Sequence, residues 1–222
     1  MDRKIILSLL AVILLVLAVA ILMPGGRQAD SQPKLPWQIQ LDEQGRTQVF
    51  GLTLGASTLS DAQQLLQQQA KATLFLSPEG IYSAEAYFQR AALSGLRADF
   101  VLTMTLSQEA AARMFDRGLR LSKLGSGVQK VELSQSDLAE LGSTPIDHIT
   151  YIPGTDLEPD LIKRHFGEPT RQISESNGIT HWLYPQKGLD IAVNPDGKEV
   201  FQYLPPGQFE RLLAPLQPDT QH

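Results

Sequence analysis

Residues 170–204 read TRQISESNGITHWLYPQKGLDIAVNPDGKEVFQYL, and the way this stretch is punctuated decides how the rest of the chain is read. Four short runs, 170–175, 179–184, 189–193 and 200–204, are rich in β-branched and aromatic side chains. Ser176-Asn177-Gly178 separates the first pair, and Asn194-Pro195-Asp196-Gly197 the last pair. Asn-Gly and Asp-Gly enter left-handed backbone at little steric cost, so each predicts a tight hairpin turn. The spacing predicts an antiparallel meander.

Upstream of it, Pro159 suits the first helical position, Leu161, Ile162 and Phe166 form an apolar face, and Gly167 ends a helix over about 159–166. The same order is legible earlier in the chain. Trp37, Ile39 and Leu41 alternate before a turn at 42–45, and 47–54 return as the second arm of a hairpin. Thr58 with Asp61 resembles a capping box and opens a helix over about 59–69; strands follow at 72–76, 81–91 and 96–106. Ser107 caps a second helix, with Ala110, Ala111, Met114 and Phe115 on one side and Arg113, Arg117 and Arg120 on the other. Gly125-Ser126-Gly127 reads as a flexible connector.

Residues 5–23 contain no charge and would span about 28 Å as a helix at 1.5 Å per residue, close to the hydrocarbon thickness of a bilayer. The run is longer than the apolar region of a cleaved leader, and Arg27 spoils the small-residue pattern before Ala29, so an uncleaved signal anchor is expected. Arg3 and Lys4 precede the run directly, which keeps a stub at 1–4 in the cytoplasm and exports the rest. Residues 24–36, with Pro24, Pro33 and Pro36, form a tether. The expected fold class is therefore α+β: an N-terminal transmembrane helix followed by two helix-plus-antiparallel-meander units, at 37–130 and at 131–222 with a C-terminal tail.

The 222-residue chain has no cysteine, which rules out disulfides, thiolate zinc and lipidation through a thiol. From Leu35 onward it carries 15 basic and 22 acidic residues. Nucleic-acid binding needs the opposite balance, so no nucleic-acid partner is expected. The expected location is a bacterial inner membrane, crossed once through residues 5–23, with the soluble domain in the periplasm.

At 157–169, at His181-Trp182-Leu183-Tyr184 and at Val193-Asn194-Pro195-Asp196-Gly197 the chain resembles the small SmpA/OmlA (BamE-like) envelope family. There a short helix ends in a Gly-x-Pro turn and leads into a Trp-x-Tyr strand and an Asp-Gly turn. The tandem arrangement is similar to a two-unit β-lactamase inhibitor protein built from that module. The resemblance implies an envelope protein that acts through protein contacts, without catalysis.

His148, His165, His181 and His222 show no metal-ligand spacing, and Asp156, Glu158 and Asp160 suit the start of a helix rather than a calcium loop. No nucleophile elbow or phosphate loop occurs, so no catalytic, cofactor or metal residue is assigned. Two features are candidates for partner binding: the basic stripe of Arg113, Arg117 and Arg120, otherwise an ordinary solvated face, and Trp182 with Tyr184, whose shared strand face either packs under a helix or stays open to a partner. The expected function is a membrane-anchored periplasmic protein-interaction or envelope-assembly module with an envelope protein as partner. The alternatives are an envelope hydrolase and a small-ligand or cell-wall sensor with a site between the two units.

Overall fold

The computed structural model describes residues 33–216. In chain order its elements are β1 (Gln40–Leu41), β2 (Thr47–Val49), β3 (Leu52–Thr53), α1 (Leu59–Leu66), β4 (Lys71–Leu76), β5 (Tyr82–Leu93), β6 (Leu96–Met104), α2 (Gln108–Asp116), β7 (Arg120–Lys123) and β8 (Gln129–Glu132). Then come α3 (Gln135–Gly142), β9 (Ile146–Pro153), α4 (Pro159–Phe166), β10 (Arg171–Ser174), β11 (Thr180–Tyr184), β12 (Leu189–Val193), β13 (Val200–Tyr203) and α5 (Glu210–Leu213).

Ten of the strands form one antiparallel sheet in the order β10-β11-β12-β13-β9-β6-β5-β4-β8-β7, and β1-β2-β3 form a small second sheet. This corrects the expectation of two separate helix-plus-meander units. Each meander ends on a strand, β6 or β13, whose outer backbone groups need partners. Strand β9 supplies them on both sides, pairing Tyr151 with Phe201 and with Phe100. From Lys34 onward the chain is a single compact unit. The expected transmembrane helix at 5–23 lies outside the described residues, and no helix among those described is long and apolar enough to cross a membrane.

Local chemistry accounts for the elements. Thr58 and Asp61 close a reciprocal capping box on α1, and Gln67 ends that helix in left-handed backbone, three residues short of the expected span. Ser107 caps α2 and Ser134 caps α3, each accepting a backbone N–H from three residues on. Gly125-Ser126-Gly127 is no flexible connector: it is the turn of the β7–β8 hairpin, with Leu124 N donating to Val128 O at 2.8 Å.

The core follows from register. Trp182, Ile191, Phe201, Tyr151, Phe100 and Phe88 stand side by side across six strands, all buried on one sheet face. Helices α1, α2 and α4 add Leu59, Ala62, Leu66, Met114, Ile162 and Phe166 to this layer. Phe50 caps it from the β2–β3 turn with its ring 5.2 Å from Phe100, 5.1 Å from Tyr151 and 5.4 Å from Tyr203. Its φ of 58° is unfavourable for an aromatic residue, and burial against three rings offsets that cost. On the opposite face, among the described residues, Phe209 and Leu212 cover one end, packing on Leu183 and Leu204.

Candidate functional site

Where the two meanders meet, the chain leaves an open cleft of about 840 Å³. Its floor is the start of β6 and the end of β9, with Leu96, Ala98 and Tyr151. Leu157, Leu161 and Ile162 form one wall and Pro36 and Trp37 the other. Trp37 is fixed in place. Its ring stacks on His165 at 3.9 Å, and the carbonyl of Pro36 accepts the Tyr203 hydroxyl at 3.0 Å. Gly154 allows the loop after β9 to touch the sheet: its N–H donates to Arg97 O at 2.8 Å, and a Cβ there would meet that oxygen at 2.6 Å. Buried Glu199 holds the loop further on, accepting the Leu157 N–H at 2.9 Å.

Arg90, Arg97 and Lys198 give the cleft a cationic rim. Strand β5 bulges between Phe88 and Ala91, which puts Arg90 at φ 49°. Asp99 stabilises the bulge, accepting the Arg90 N–H at 2.6 Å and the Tyr87 hydroxyl at 3.0 Å. Lys198 donates to Gly154 O at 3.2 Å. Neither guanidinium has an ion-pair partner among the described residues, so both remain available to an incoming anion. Strained backbone, free cations and apolar walls converge here in a domain that is acidic overall.

A second polar cluster lies beneath the C-terminal segment. His181 is hydrogen-bonded through Nδ1 to Asp190 and through Nε2 to Glu175, both at 2.7 Å. The Asp190 contact raises the imidazole above its usual range, with Glu175 adding to the effect. A ring whose two nitrogens both donate to carboxylates has no lone pair left to take a proton, so this arrangement does not make a general base. His148 lies nearby, and burial pushes it down to about 4.

The residues singled out in the sequence end up in three different places. Trp182 and Tyr184 do share a face, but it is the core face under α4, where they are 7% and 4% exposed; Tyr184 donates to Gly167 O at 2.9 Å. They belong to the core. The basic stripe is not one helical face either, because α2 stops at Asp116 and Arg120 lies on β7. Arg117 ion-pairs with Asp137 and approaches Glu140 at 3.9 Å. Burial pushes the Asp137 carboxyl up, but Arg117 and Ser134 outweigh it and hold the group below its usual value. Arg113 and Arg120 are exposed.

The cleft residues Arg90, Arg97 and Lys198 were not singled out in the sequence. A signal was present in the first two, which flank the Ser94-Gly95 turn and so sit near each other across a hairpin. Among the described residues no group of three or more His, Asp or Glu side chains is placed to hold a metal ion. No protein-family model matches this chain, and neither the curated proteins nor the solved structures contain a match to it.

Proposed function

We propose that this protein is a non-catalytic binding module held in a bacterial inner membrane by residues 5–23, with its N-terminus in the cytoplasm and its folded domain in the periplasm, engaging an envelope protein through the seam cleft. The observation that carries this reading is the pair of guanidinium groups, Arg90 and Arg97, without an ion-pair partner among the described residues, over apolar walls at the junction of the two halves. Such a surface offers charge-assisted contacts at the rim and apolar burial at the centre, as interaction sites do. The likeness of residues 157–197 to the SmpA/OmlA envelope family points to the same class of role.

The test is site-specific photocrosslinking from the full-length protein in intact cells. A crosslinker at Leu96 or Thr155, in the cleft, should capture one discrete partner, and Arg90→Ala with Arg97→Ala should abolish the adduct. A crosslinker at exposed Ile81 should not capture it. Equal capture from all three positions, or capture that is indifferent to the arginines, would remove the cleft from the interface. A small-ligand or cell-wall sensor is the second reading, favoured by the volume of the cleft, which matches the range of about 300–1,000 Å³ typical of small-molecule sites.

A further inference from the structure

The ten-stranded sheet ends on β7, and no described strand pairs with its outer side. The phase of its backbone groups follows from the hairpin. Leu124 N donates to Val128 O at 2.8 Å, one step beyond the pairing of Lys123 with Gln129. Hydrogen-bonded pairs alternate along an antiparallel ladder, so Leu121 and Lys123 turn their N–H and C=O groups outward. These groups form a ready template for another strand.

The side chains along this edge are not those of a protected one. Leu121 stands beside Val131, which stands beside Leu74, so it continues a buried core row out to the sheet margin. Leu119, at the bend just before β7, and Leu121 are 68% and 57% exposed, and Leu124, on the face opposite Leu121, is 42% exposed. Arg120 and Lys123 are also exposed and have no ion-pair partner among the described residues. A second β7 edge carries no carboxylate between Leu119 and Leu124, so self-pairing would leave both cations without an opposite charge. The edge is therefore biased against a second copy and toward an acidic strand.

We infer that β7 is a strand-addition site for an extended segment of a partner protein that sets acidic residues opposite Arg120 and Lys123 and an apolar residue opposite Leu121. Opposite Arg120, Leu121, Ser122 and Lys123 the segment would place an acidic, an apolar, a small polar and an acidic residue. Main-chain bonds to Leu121 and Lys123 supply affinity, and the side chains supply register and selectivity. The site is separate from the seam cleft and does not depend on the reading given to it.

The experiment uses the full-length chain in nanodiscs of zwitterionic lipid. The probe is a fluorescein-labelled peptide with glutamate, serine, valine and glutamate in that order, flanked by threonines, compared with the same peptide carrying lysine for glutamate. Fluorescence anisotropy should show the acidic peptide binding at least tenfold more tightly. Arg120→Glu with Lys123→Glu should reverse that preference, and the milder Arg120→Ala with Lys123→Ala should weaken acidic binding without reversing it. Leu121→Asp should weaken it further, while Arg97→Ala in the cleft should leave it unchanged. Acidic-peptide binding that ignores the β7 variants, that is lost in Arg97→Ala, or that never saturates would overturn the proposal. So would self-association abolished by the β7 variants, which would put a second copy at the edge, or peptide binding displaced by phosphatidylglycerol in the nanodisc, which would put lipid there.

Discussion

One lateral row of residues crosses both halves of the sheet on the same face: Leu183, Asp190, Gln202, Thr150, Val101 and Tyr87. At its first end Leu183 and Asp190 are fully buried beneath the C-terminal segment. At its other end Val101 and Tyr87 are only half-buried. The backbone is alike at both ends, so the cover alone sets what each position demands of its side chain. Under cover, a carboxylate such as Asp190 needs an ionic partner, and His181 provides it; in the open half, Asp99 can rely on neighbouring donors and water.

The comparison would break most clearly at the charged positions. His181→Ala should leave Asp190 buried without its imidazole and destabilise the fragment beginning at Lys34 by about 3–5 kcal/mol in urea titration. Asp99→Asn in the open half should cost only about 1 kcal/mol. Similar losses at both sites would mean that cover does not control the cost of a charge in this sheet.

Apolar positions in the same row sharpen the contrast. Leu183→Ala should cost about 2–4 kcal/mol, as buried leucine truncations do. Val101→Ala, on the half-open side, should cost about 1 kcal/mol or less.

The covered half should also dominate the pH dependence of stability. His148 is pushed down by burial to about 4, from about 6.5 when unfolded, so the folded state resists its protonation. Its contribution is fully present above about pH 6.5 and is lost as pH falls toward about 4. The pKa of His181 is raised, so its contribution is present below about pH 6.5 and fades as pH climbs through the folded value. In thermal melts from pH 4 to 8, His148→Gln should flatten the acid side of the profile. An unchanged acid limb would show that His148 is not buried neutral.

The smallest contrast lies within the arginine stripe. Arg117→Ala should lower the urea midpoint, because it takes a partner from the buried Asp137 carboxylate. Arg113→Ala, on an exposed face, should stay within about 0.5 kcal/mol.

Much of the local structure was legible because its signals are short-ranged. Pro159 and Gly167 bound α4 where expected, Thr58 and Ser107 cap α1 and α2, and 189–193 coincide with β12. The strand that joins the halves was not read. Strand β9, Ile146-Asp147-His148-Ile149-Thr150-Tyr151-Ile152-Pro153, carries β-branched and aromatic residues, and Gly142-Ser143-Thr144-Pro145 and Pro153-Gly154 bracket it, but these signals do not say which strands it joins. Its partners are β6 and β13, and β13 pairs with it from about fifty residues further along the chain, which no local pattern encodes. Alternation left open whether Trp182 and Tyr184 face the core or a partner, because both faces of β11 and β12 are buried.

The sequence by itself determined the caps, the hairpin turns, the acidic balance of the domain and the absence of cysteine, because each follows from one residue type or from neighbours a few positions apart. Tertiary structure alone decided that two meanders become one sheet, that Trp182 and Tyr184 belong to the core, and that Arg90, Arg97 and Lys198 share a cleft. These outcomes depend on pairing and cover between distant segments, where the burial of one surface by another, rather than local propensity, selects the arrangement.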